Sequence, residues 1–262
     1  MRYLSTDDPL AVAAVTAIRA GNVDHLKRLL GEHPDLATAR LGGKSAAGSC
    51  EMSRTLLHVV TDWPGHFPNG AETVAALVAA GADVNARFAG PHTETPLHWA
   101  ASSDDVSVLD ALLDHGADIE APGAVIGGGT PLADAAAFGQ WQTARRLVER
   151  GAQTSLWEAA ALGLLDRVQQ HFAAAPLPPW PFGPAQPGGA APNEVTHAFW
   201  CACHGGQQAT AEFLLARGAD INWVGYDQLT PLDAARRTGA NGLVAWLHHR
   251  GGRSADEVRC GG

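Results

Sequence analysis

The sequence predicts an all-α solenoid, a row of helix-turn-helix units, and three observations carry that prediction. The string Gly-Ala-Asp, followed by Val or Ile and then Asn or Glu, stands at 81–85, 116–120 and 218–222, with echoes at Gly151-Ala152 and Gly251-Gly252. These glycines fall 35, 35, 67 and 33 residues apart. Such a period marks a repeat architecture, the 67 being two periods with the middle mark lost. A second string sits 21 residues before most of these glycines: Thr95-Pro96-Leu97-His98-Trp99-Ala100-Ala101, Thr130-Pro131-Leu132-Ala133-Asp134-Ala135-Ala136 and Thr230-Pro231-Leu232-Asp233-Ala234-Ala235, with a looser copy at Thr55-Leu56-Leu57-His58. Between the strings, runs such as Val106-Ser107-Val108-Leu109-Asp110-Ala111-Leu112-Leu113 have helical period.

Each part of the double motif has a local reason. Thr caps the first helix, and Pro takes its first position, where no N–H is missed. Leu and the small Ala pair allow neighbouring helices to approach closely. The Val/Leu run supplies the buried stripe of the second helix, and Gly ends it in left-handed geometry.

These residues resemble the ankyrin repeat, a β-turn plus two helices in about 33 residues with Thr-Pro-Leu-His-x-Ala as its mark. The resemblance implies an ankyrin-repeat solenoid with short β-turn fingers, a single domain over 1–252 of about seven repeats. An N-terminal cap spans 7–40, and repeats follow near 41–85, 86–120, 121–153, 154–175, 193–222 and 223–252. The fifth starts 24 residues after Thr130, and the sixth places His197-Ala198-Phe199-Trp200-Cys201-Ala202-Cys203 on the motif frame. A Pro-rich insertion at 176–192 carries Trp180 and Phe182 and is read either as a surface loop or as a flap over the groove. The tail 253–262 is expected to be flexible.

Composition narrows the function classes. Apolar residues make up 46% and charged residues 17%, enough for a core. The net charge of −9 argues against nucleic acid, whose phosphates call for a basic face. No apolar run is long enough to span a membrane, and the polar start lacks a signal-peptide pattern. Four cysteines are too few for a disulfide scaffold, so a cytoplasmic setting is expected. Lysine occurs only at 27 and 44 against many arginines, pointing to a G+C-rich bacterial genome.

Ankyrin solenoids bind along a concave surface of fingers and first helices. Carried over to this sequence, the motif columns and finger tips place Asp62, Trp63, His92, Glu94, Trp99, Ser102, Ser103, Phe138, Leu162, Trp223, Tyr226, Asp227 and Arg237 in the groove, with Trp180 over it. Trp141, Trp157, Trp200 and Trp246 are expected in the core. Glu94, on a finger, is expected to be cheap to replace. Asp134 and Glu158 fall at equivalent places in adjacent repeats, where near carboxylates would split their pKa values as acid/base chemistry requires. With His66, His92 and His204 as proton-transfer partners, they are the catalytic candidates. His58 and His98 are expected to bond backbone between repeats. Cys201-Ala202-Cys203-His204 is not read as a metal site, because i and i+2 point to different helix faces. No metal or cofactor is called for. A protein partner, basic or neutral, is the leading expectation. The alternative is a small molecule in the groove, or a cofactor-independent enzyme of hydrolase, lyase or isomerase type, and the residues do not decide whether the chain is an enzyme.

Overall fold

The computed structural model describes residues 2–42, 52–174 and 193–260. The insertion at 176–192, with Trp180, lies outside the described residues. The chain divides into two compact units, Met1–Ala152 and Gln153–Gly262, a finer division than the one domain that the sequence suggests.

The first unit carries four helix pairs: α1 (Pro9–Arg19) with α2 (Val23–Glu32), α3 (Leu56–Val60) with α4 (Gly70–Ala79), α5 (Pro96–Ser102) with α6 (Val106–Asp114), and α7 (Pro131–Phe138) with α8 (Trp141–Glu149). Successive motif helices pack side by side, α5 on α7, and α4 packs on α6 in the second row. Leu57, Leu97 and Leu132, the motif leucines, are fully buried, as are the Ala pairs at 100–101 and 135–136. The cap holds something the repeat pattern does not announce. Three two-residue strands, β1 (Tyr3–Leu4), β2 (Arg40–Leu41) and β3 (Arg54–Thr55), form a small sheet, parallel in its first pairing and antiparallel in its second. Buried Arg40 ties it to the next finger, giving N–H groups to Ser53 Oγ, the Ser53 carbonyl and the Arg87 carbonyl at 2.7–2.8 Å.

The second unit carries three pairs: α9 (Leu156–Ala161) with α10 (Leu165–Ala174), α11 (Glu194–His204) with α12 (Gln208–Leu215), and α13 (Pro231–Arg237) with α14 (Asn241–His249). Its core runs through Leu156, Phe199, Leu214, Leu232 and Leu247. The tail expected to be flexible carries one more helix, α15 (Ala255–Cys260). Its entry is fixed because the Ala255 N–H reaches Asp233 Oδ2 at 2.7 Å and the Arg253 N–H reaches Asn222 Oδ1 at 2.8 Å.

The Gly-Ala-Asp string and its echoes close α4, α6, α8, α12 and α14 in one way. At Gly81 the glycine N–H bonds the Val78 carbonyl and the Ala82 N–H bonds that of Leu77, and the same pair of bonds recurs at Gly116, Gly151, Gly218 and Gly251. This double closure needs a left-handed residue. Gly116 has φ +88° with open space around it, so glycine is there for its backbone rather than for room.

The Asn of the string then reaches forward. Asn85 Nδ2 donates to the Gly116 carbonyl and its Oδ1 accepts from the Asp118 N–H. Asn222 does the same with Gly251 and Arg253. The short, planar side-chain amide donates and accepts at once, which suits Asn to this place.

Candidate functional site

The motif histidines lie at the joints between neighbouring repeats. His98 Nδ1 accepts from the Thr95 N–H at 3.1 Å, and its Nε2 reaches the Gly129 carbonyl. His58 is placed alike, between Thr55 and the Glu94 carbonyl. In each case the carbonyl belongs to the residue just before the next capping position. Both rings are buried and held neutral, with desolvation lowering His58 to about 3 and His98 to about 4. In the second unit Trp200 stands in for the histidine: its indole N–H bonds the Leu229 carbonyl, directly before Thr230, at 2.9 Å. Trp200 is buried as expected, whereas Trp141, Trp157 and Trp246 are only half-buried.

The catalytic candidates are otherwise engaged. Glu158 is not the counterpart of Asp134. The cap of α9 is Ser155, one residue later than the motif frame suggests, so Glu158 is the third residue of its helix. It closes a capping box there, with Oε2 accepting from the Ser155 N–H at 2.6 Å and the Ser155 hydroxyl at 2.7 Å. His66 Nε2 meets the Ser103 carbonyl and its backbone N–H donates to Asp105. His204 is buried, stacks on Trp200 and receives Arg237 at Nδ1. Among the described residues no group of His, Cys, Asp and Glu side chains is placed to hold a metal.

Asp134 has a different carboxylate neighbour. It is fully buried, and its Oδ1 accepts from the Ile126 N–H of the finger at 3.2 Å. Glu94, read from the sequence as an open finger residue, is buried as well, 7% exposed. Desolvation, partly offset by a hydrogen bond from Trp99, raises its carboxyl. Asp134 is pushed up to about 7, first by burial and further by the Glu94 charge, against the Ile126 N–H. The charge of the residue before a motif threonine thus acts on the fourth residue of the next motif helix.

The second unit gathers rings on α11 and the last finger. His197 lies 5.5 Å from Tyr226 and 5.8 Å from Trp157, and Tyr226 packs edge-on against Trp200 and Trp223. Cys201 Sγ sits 3.5 Å from His197 Nε2, and burial raises the thiol while it lowers the imidazole to about 3. A neutral thiol beside a neutral ring is packing rather than an activated nucleophile. The helix starts at Glu194, a turn earlier than the motif frame, which is why His197 is inside it rather than at its cap.

The remaining groove candidates divide by exposure. Trp63 is 78% exposed, Phe138 48% and Tyr226 36%. His92, Asp227 and Arg237 are exposed, and Arg237 pairs with Asp227 at 2.5 Å. Trp99, Trp223 and Ser102 are half-buried, while Leu162 and Ser103 are buried. The two serine hydroxyls are spent on the His98 and Thr61 carbonyls. Asp62 bridges Arg19 and Arg54.

The profile of ankyrin repeats in three copies matches residues 8–122 and 57–158, more than half of the chain. The chain belongs to the ankyrin-repeat family. An ankyrin repeat and KH domain-containing protein of Caenorhabditis briggsae is 31% identical over 196 residues. That match takes in 71% of this chain but only 7% of the relative, so the chain spans a small part of that protein's length. Ankyrin repeats are a general protein-interaction module. None of the described helices is long and apolar enough to cross a membrane.

Proposed function

We propose that this ankyrin-repeat chain, of about seven repeats, is a partner-binding module that recognises another protein through the motif-helix columns and finger tips of its units. One observation carries the reading. Among the described residues Trp63 stands in solvent, and Phe138 and Tyr226 keep 48% and 36% of their surface exposed, at positions that the repeat frame assigns to the binding face. Large exposed aromatic residues are unfavourable in a free protein and are the usual anchors of interfaces. Trp63 is held out by design of its loop: the Gly65 N–H bonds the Asp62 carbonyl, His66 bonds Ser103 and Asp105, and Asn69 bonds the Gly21 carbonyl. Anchoring on two neighbouring turns fixes the loop that carries the indole, which reduces the ordering cost of binding.

The test compares proteins retained by the native chain with those retained by a Trp63→Ser, Phe138→Ser, Tyr226→Ser triple variant of equal thermal stability. The reading expects at least one stoichiometric partner to be lost with the variant. Retention of the same partners would contradict it.

A further inference from the structure

The first unit holds a second feature. A hollow of about 300 Å³ is lined by the apolar Ala11, Val12 and Val15 of α1 and Leu41 of β2, by the hydroxyl-bearing Thr6 and Thr16, and by Arg19 and Arg54. Val12 is 48% exposed although it follows the fully buried Ala11 on the same helix. Both guanidinium groups bond one oxygen, Asp62 Oδ2, at 3.3 and 2.8 Å. A guanidinium has five N–H donors, and each of these two gives one to Asp62. The edge of the hollow therefore carries two positive charges against one negative, in a chain whose net charge is −9.

We propose that this hollow is a binding site for a carboxylate that carries a short branched aliphatic group. The chemistry follows from the walls. A hollow of this size is at the small end of ligand sites and accommodates a group about as large as a leucine side chain. The paired guanidinium groups match the planar geometry of a carboxylate, which accepts two N–H donors side by side. The single surplus charge suits a monoanion, and the apolar side chains disfavour a fully hydrated dianion such as phosphate. A basic ligand, which the overall charge alone would suggest, is repelled at this edge. The same chemistry is offered by a free branched-chain acid and by the C-terminus of a polypeptide ending in an aliphatic residue.

The 262-residue, ¹⁵N-labelled chain is titrated with 4-methylpentanoate, 4-methylpentanamide, acetylglycyl-leucine and acetylglycyl-leucinamide. The two acids are expected to shift the amide signals of Val12, Val15, Leu41 and Arg54 saturably, with each amide binding at least tenfold more weakly. Tighter binding of 4-methylpentanoate assigns the site to a free acid, and tighter binding of the dipeptide assigns it to a chain terminus. Arg54→Gln is expected to weaken the acids at least fivefold. Because that change touches the Asp62 bridge, Val12→Trp serves as the second variant: it fills the hollow from an exposed position, keeps both arginines, and should abolish binding with the rest of the spectrum unchanged. Equal binding of acids and amides, shifts confined to other regions, or native binding by the Val12→Trp protein would overturn the proposal.

Discussion

Asp134 lowers the stability of its unit as the solution becomes less acidic. Unfolded, its carboxyl releases a proton near 3.8, and folded it holds that proton to about 7. Between those values the folded chain binds more protons than the unfolded one, so stability falls as pH rises through the window and the loss is complete above it. The buried histidines act with the opposite sign. His58 and His98 hold folded values of about 3 and 4 against 6.5 unfolded, so their contribution falls as pH drops through that range. The difference between native and Asp134→Asn proteins isolates the carboxyl. Urea titrations should show the variant gaining up to about 4 kcal/mol relative to native at pH 7.5 and little at pH 4. Glu94→Gln should lower the Asp134 midpoint, read by carboxyl carbon NMR, because it removes a neighbouring charge. An unmoved midpoint would show that the two carboxylates do not sense each other. Leu97→Ala, in a fully buried motif position, should cost roughly 2–5 kcal/mol in the same titrations.

At the scale of the element, the repeat is a set of joints, and the joints fail for different reasons. Asn85→Ala removes both bonds to the following turn, at Gly116 and Asp118. A loss of about 1–3 kcal/mol is expected. Gly116→Ala meets no atoms but forces a side chain to φ +88°, costing about 1–2 kcal/mol. Gly205→Ala is the reverse case. Its φ of −80° suits any residue, but a Cβ there would overlap the Ala161 carbonyl, so α9 and α11 must part. Thermal melts should rank Gly205→Ala as the more damaging of the two, and the opposite order would contradict this division. These joints also show what the sequence discloses. The capping threonines, the closing glycines and the buried leucines are legible because each satisfies a local rule that recurs in fixed phase. The pairing of Asp134 with Glu94, rather than with Glu158, was not legible. A cap moved by one residue, from Thr154 to Ser155, turned Glu158 from a groove position into a capping one. Likewise Trp200 in the histidine place satisfies the same hydrogen bond by different chemistry, which a motif string does not reveal. The small sheet of the cap escaped because two-residue strands carry no periodicity.

Over the whole molecule, the ends are part of the structure. Deleting 253–262 removes α15, buried Ala255 and the Arg253 bond to Asn222, so the melting temperature should fall by several degrees. An unchanged melt would show that α15 contributes nothing. The central claim concerns the exposed aromatic side chains of the proposed binding face, and above all Trp63. It is tested most directly by ¹⁹F NMR of the 5-fluorotryptophan-labelled chain, whose eight tryptophans are assigned by single Trp→Phe changes, with and without the partner retained by the native protein. The expected result is a large shift of the Trp63 signal on binding, while the signal of Trp246, on the second helix α14, stays in place. A Trp63 signal that remains at its free position in the saturated complex would contradict the claim.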